Sequence, residues 1–131
     1  LELIKRFKAD FDLTYIFITH DLATAKYLCD RIASMDLLRL VEIGSRDEIF
    51  KNFHHPYTEA LLAAVPVPDP NLRRQHAIVR GEIPSAIEPP AGCHFHPRCP
   101  FVMPECKEAR PPLKEVGPNH YSACILDRPP R

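Results

Sequence analysis

Four cysteines in the last third of the chain, Cys93, Cys99, Cys106 and Cys124, follow the spacing Cys-x5-Cys-x6-Cys-x17-Cys. The first two sit in Gly92-Cys93-His94-Phe95-His96-Pro97-Arg98-Cys99-Pro100. Thiolates are soft ligands suited to zinc, copper(I) or iron–sulfur clusters, and a small loop-rich segment can fold around such a centre. The same residues could instead form two disulfides; the crowding with histidine and proline favours a metal or cluster. His94, His96 and His120 are candidates to replace a thiolate or to hydrogen-bond behind one. The spacing fits no common zinc finger, so they are expected to bond nearby carbonyls and help fold the loop. Cys29 reads as a small buried hydrophobe on a helix rather than a fifth ligand.

Composition limits what else the chain can be. At 131 residues it is one ordinary domain or two small pieces. Lys and Arg total 17, as do Asp and Glu, so no basic face for nucleic acid is implied. No run of about 18 apolar residues occurs, which argues against a membrane-spanning helix. Nothing at the N-terminus resembles a signal peptide, and the chain opens on Leu1, so a fragment or processed product is expected.

Of the fifteen prolines, all lie at or after Pro56 and all but one at or after Pro66. Proline fixes φ, removes a donor and restricts its predecessor, so regular elements cannot run far there. Residues 1–65 are therefore expected to be regular, and 66–131 mostly irregular chain that needs an external staple. Leu1, Ile4, Phe7 and Phe11 recur at helical spacing. Thr14-Tyr15-Ile16-Phe17-Ile18-Thr19 has the β-branched and aromatic make-up of a buried strand. Asp21 is placed to cap a helix through Leu22, Ala25 and Cys29. Two short strands follow, Ile32–Met35 and Leu40–Ile43, with Gly44 ending the second. Ser45-Arg46-Asp47-Glu48 fits a capping box opening a helix to Phe50. Pro56 suits the first turn of a further helix, with Tyr57, Ala60, Leu61, Ala64 and Val65 as its apolar face. This order is the ending of an α/β layered domain, and a lone buried strand needs parallel neighbours that the chain does not supply.

The run Ile16-Phe17-Ile18-Thr19-His20-Asp21-Leu22 delivers a histidine at a strand's C-terminal end, where α/β folds place ligands. It resembles the switch-histidine loop of ATP-binding cassette ATPases, and the likeness continues through Ala33-Ser34-Met35 and Leu40-Val41-Glu42-Ile43-Gly44. His55-Pro56-Tyr57-Thr58-Glu59-Ala60-Leu61-Leu62, Val65-Pro66-Val67-Pro68-Asp69-Pro70, Gly81-Glu82-Ile83-Pro84-Ser85 and the cysteine segment resemble the C-terminal extension of ATPase subunits of oligopeptide and dipeptide importers. The resemblance implies an α/β fold class: the C-terminal piece of a P-loop ABC ATPase over residues 1–50. Residues 51–131 would be a mostly irregular, proline-rich extension stapled by a metal or cluster.

It further implies an intact subunit that hydrolyses ATP with magnesium at the cytoplasmic face of the cell membrane to energise peptide import. That subunit would work beside a second ATPase subunit, two membrane permease subunits and a peptide-binding protein. His20 would contact the γ-phosphate and help hold the attacking water, a role that suits a compact, orientable donor. On residues alone, a strand-end histidine bonded to a carbonyl is the simpler account of His20. Cys93, Cys99, Cys106 and Cys124 would hold a [4Fe–4S] cluster, with structural zinc, disulfides or free thiols as alternatives. The chain contains no Gly-x-x-x-x-Gly-Lys-Ser/Thr loop, so it is expected neither to bind nor to hydrolyse ATP by itself. Leu37-Leu38-Arg39 departs from the family, which usually has glycine in this hairpin; leucine resists positive φ, so a different or strained turn is expected. An independent metal-stapled interaction module and a small electron-carrying protein are the rival readings.

Overall fold

A computed structural model describes residues 1–66, 79 and 81–127; the Val67–Pro70 part of the proline motif lies outside the described residues. Helix α1 spans Glu2–Phe11 and ends on Asp12 in the left-handed conformation (φ 50°). Helix α2 spans Leu22–Leu28, with Asp21 as N-cap accepting from the Ala23 N–H at 3.0 Å. Strands β1 (Arg31–Asp36) and β2 (Arg39–Ser45) form the expected hairpin, and β2 runs one residue beyond Gly44. Its turn places Leu37 and Leu38 at φ 43° and 64°. Positive φ at both central residues is the mark of the tight turn whose twist matches a hairpin, normally filled by Asn and Gly. Helix α3 (Arg46–Lys51) opens on Ser45, whose hydroxyl accepts from the Glu48 N–H, and α4 (Pro56–Ala63) carries Pro56 in its first turn.

The Thr14–Thr19 strand is not formed. This segment is an exposed linker between α1 and α2, with Ile16 94% and Ile18 93% exposed. A strand exists only through ladder partners, and no described segment lies alongside this one to supply them. The sheet that does form is antiparallel throughout, in the order β1-β2-β4-β3. Strands β3 (Lys114–Gly117) and β4 (His120–Ser122) come from the proline-rich half. Their turn is Pro118-Asn119, with Asn119 at φ 53°, a conformation asparagine tolerates. Strand β4 then pairs Tyr121 with Ile43 and Ser122 with Glu42.

The apolar core is small. Ala25, Ile32 and Ile49 cluster beneath the hairpin, with Cys29 and Phe50 packed against them, which places Cys29 in the hydrophobic role expected of it. Helix α1 has no buried residue and is tied on by polar contacts: Lys8 to Asp30, Tyr27 to Glu2, and Lys5 over the Tyr27 ring. Helix α4 is rotated from its expected orientation: Pro56, Thr58 and Leu62 are its buried residues, while Ala64 is exposed. The reason is the anchoring of its N-terminus by the buried polar groups described next.

Candidate metal centre

Each cysteine is positioned by a different short element. Gly92, at φ 71°, brings the chain against the backbone of Cys106 and Lys107, and the Cys93 N–H then donates to the Cys106 carbonyl at 2.8 Å. A β-carbon at position 92 would stand 2.3 Å from that carbonyl oxygen, so only glycine fits. The His96–Arg98 turn of 3-10 helix carries the chain to Cys99. Cys106 lies in the short helix α5 (Glu105–Glu108), and Cys124 follows two residues after β4.

All four cysteines line one small cavity, closed by the apolar groups of Phe95, Phe101, Ile125 and Leu126 and flanked by His55 and His96. All four thiols, and that of Cys29, are free. Burial pushes the Cys93, Cys99 and Cys124 thiols up, Cys99 to about 11. Repulsion from neighbouring cysteines adds to the rise: Cys106 acts on all three, Cys93 on Cys99 and Cys124, and Cys124 on Cys99. Opposing this, the backbone N–H groups of Phe95 and His96 favour the Cys93 thiolate, that of Phe101 favours Cys99, and that of Leu126 favours Cys124. Sulfurs that repel one another yet receive backbone donors suit a shared cation, which deprotonates its thiol ligands outright. Among the described residues, however, no group of three or more His, Cys, Asp or Glu side chains is arranged to hold a metal ion. The four cysteines thus share a cavity without being arranged as the ligands of one ion, whereas zinc needs its sulfurs about 2.3 Å from one centre.

The histidines divide by tautomer. His94 Nδ1 donates to the Leu37 carbonyl (3.3 Å) and His96 Nδ1 to the Cys93 carbonyl (2.9 Å), as expected for loop-folding residues. His120 is buried, its Nε2 2.6 Å from Glu42 and its Nδ1 3.5 Å from Glu48. His20 is exposed in the linker before α2 and does not line the cysteine cavity.

Sequence reasoning missed the buried polar frame that holds the cavity in place. Glu42 is fully buried, and its carboxylate accepts from the His54 N–H (2.7 Å), the His55 N–H (3.0 Å) and His120 Nε2. One side chain of β2 thus fixes both the start of α4 and strand β4. His54 Nδ1 meets the Ser122 hydroxyl at 2.9 Å. His55 accepts the Tyr57 N–H on Nδ1 at 3.0 Å, and burial, reinforced by His54, holds its pKa down at about 4, so it is neutral. Arg98, buried one residue before Cys99, gives both Asp36 oxygens 2.8 Å contacts and lies over the Phe95 ring. The available signals were a carboxylate within the apolar run Leu40–Ile43 and the paired histidines before Pro56.

The fold and cavity define an α/β chain whose C-terminal loops return to its hairpin and gather four cysteines. Residues 41–106 match the family described as the C-terminal region of oligopeptide/dipeptide transporters, and the chain belongs to that family. It is 45% identical over 127 residues to the oligopeptide transport ATP-binding protein OppF of Salmonella typhimurium, covering 95% of this chain and 38% of that protein. It is 41% identical over 128 residues to the oligopeptide transport ATP-binding protein AppF of Bacillus subtilis, covering 96% of this chain and 39% of that protein. The chain thus spans about two fifths of the length of the relatives it matches.

Proposed function

We propose that this chain is the C-terminal portion of an ATP-binding subunit that energises uptake of oligopeptides or dipeptides. The observation that carries this is the family match from β2 through Cys106, within a similarity to oligopeptide transport ATP-binding proteins that runs nearly end to end. Residues 1–50 belong, in this reading, to the end of the ATPase core, and residues 51–131 to the transporter extension. The exposed apolar residues of the 14–19 linker support a place beside further strands of such a core. His20 then acts on the γ-phosphate only in the intact subunit, where ATP and magnesium bind. The partners are a second ATPase subunit, two permease subunits and, through them, a peptide-binding protein. The subunit sits peripherally on the cytoplasmic face of the membrane; among the described residues no helix is long and apolar enough to cross one.

Cys93, Cys99, Cys106 and Cys124 hold a [4Fe–4S] cluster in this proposal. What supports a thiolate-bound group is that all four cysteines are free and line one apolar cavity. When bound, such a group supplies four strong metal–thiolate links and a one-electron couple. The chain's own residues bind and shield it: the four sulfurs ligate, backbone N–H groups stabilise the thiolates, and Phe95 and Phe101 exclude water. The uptake assignment is tested by disrupting the gene in its host and following labelled tripeptide and free amino acid entry. Loss of tripeptide entry alone is expected; undiminished tripeptide entry in a host with no second peptide importer would refute the assignment.

A further inference from the structure

The backbones of Cys93 and Cys106 are locked together. The Cys93 N–H donates to the Cys106 carbonyl at 2.8 Å, and among the described residues this is the one backbone hydrogen bond that joins two cysteines. Gly92 permits the approach, since a β-carbon there would stand 2.3 Å from the Cys106 oxygen and 2.8 Å from the Lys107 carbonyl carbon. Each cysteine is also held by its own turn. The Cys93 carbonyl accepts from the His96 N–H, and the Cys106 N–H donates to the Met103 carbonyl, both at 3.0 Å. A hydrogen-bonded pair of residues on facing chains has α-carbons about 5.5 Å apart, within the range of roughly 4.4–6.8 Å that a disulfide spans.

The side chains must meet as well. Both thiols line the same cavity, and both are free and only half-buried, so a small oxidant can reach them. Cys106 is the one cysteine whose repulsion raises the Cys93 thiol, whereas Cys99 feels Cys124 most among the cysteines. Cys99 is separated from Cys93 by the His96–Arg98 turn, and the Arg98 side chain is clamped to Asp36.

We propose that Cys93 and Cys106 form a disulfide when the metal-free chain meets a small-molecule disulfide such as oxidised glutathione. One cysteine loses its proton and its sulfur attacks a glutathione sulfur, forming a mixed disulfide and releasing one reduced glutathione. The second cysteine, also losing its proton, attacks the protein-bound sulfur and expels the other glutathione, which takes up a proton. The two thiols together give up two electrons and two protons, and oxidised glutathione becomes two reduced molecules. The bond consumes two of the four thiols that face the cavity, so the oxidised chain no longer offers four sulfurs to a ligand. It does not depend on what those thiols bind when reduced.

The test uses the full chain, stripped of metal by a chelator and given one equivalent of oxidised glutathione, with and without guanidinium. Remaining thiols are alkylated and the disulfides are mapped by tandem mass spectrometry. Cys99→Ser is mapped beside the wild type, because Cys99 and Cys106 share a tryptic peptide. In an unfolded chain short loops close most readily, which favours Cys93–Cys99 and Cys99–Cys106. In the folded chain Cys93–Cys106 is expected to exceed every other pair by about tenfold, since a badly placed pair stores strain that makes its bond easier to reduce. That lead should vanish in guanidinium. Should Cys99→Ser fail to fold, fragmentation of the wild-type peptide between Cys99 and Cys106 makes the same assignment. Any other pair formed as often as Cys93–Cys106, the same distribution with and without guanidinium, or mixed disulfides with no internal bond would overturn the inference.

Discussion

Leu38 occupies the left-handed region at φ 64° while 77% exposed, so its side chain gains almost nothing from packing in return for its backbone strain. Replacing it with glycine should stabilise the hairpin by about 1 kcal/mol, the scale of left-handed strain for a non-glycine residue. Thermal unfolding reads this directly; a lower melting temperature for Leu38→Gly would mean that leucine is packed after all. Gly92 is the opposite case, because its missing β-carbon leaves room for the Cys106 carbonyl. Gly92→Ala should cost about 2 kcal/mol or more and reduce metal loading, since backbone rather than a flexible side chain would have to move. Unimpaired loading would show that the Cys93–Cys106 contact does not shape the site.

His55 also carries a pH signature. Its pKa is near 4 folded and about 6.5 when the chain is unfolded, so between those values the unfolded state binds more protons. The contribution is complete above pH 6.5 and is lost as pH falls towards 4, reaching about 3 kcal/mol. Urea unfolding of the metal-free chain at pH 7 and pH 4.5 should show this loss in the wild type and a smaller one in His55→Asn. Equal losses in both would assign the acid sensitivity elsewhere.

At the scale of elements, caps and turns were legible because their chemistry is local. Asp21, Ser45 and Pro56 start their helices where their side chains and φ preferences say they should. The β1–β2 hairpin was legible as two short apolar stretches, Ile32–Met35 and Leu40–Ile43, ahead of Gly44. The 14–19 segment misled because strand-forming residues show only a preference, and pairing partners decide the outcome. Strand β4 was not legible at all: His120–Ser122 is three residues long and its partner β2 is far away in the sequence. What joins them is Glu42, whose carboxylate binds the N–H groups that start α4 and the His120 ring of β4. Removing one member of such a buried polar set leaves the others unpaired. Glu42→Ala should therefore cost about 3–5 kcal/mol and abolish amide-exchange protection at Tyr121, whereas a surface change such as Glu115→Ala should do little. Retained protection at Tyr121 would show that backbone pairing alone holds β4.

At the scale of the whole molecule, the cysteine loops are not an appendage to the hairpin. Strand β4 extends the hairpin's sheet, Arg98 is clamped to Asp36 at the end of β1, and His94 reaches the Leu37 carbonyl of the turn. The four-cysteine pattern was the clearest part of the sequence, since thiol spacing survives without knowledge of the fold. The frame behind it was hidden, because buried carboxylate and histidine residues look like surface residues until their partners are placed. The central claim, that this transporter region builds an iron–sulfur site from its four cysteines, is tested by composition. Iron, zinc and acid-labile sulfide should be measured on protein purified without oxygen, beside its visible absorbance. About four iron and four sulfide per chain, with a broad brown absorbance lost in Cys99→Ser, is the predicted result. One zinc per chain without sulfide, or no metal at all, would contradict it.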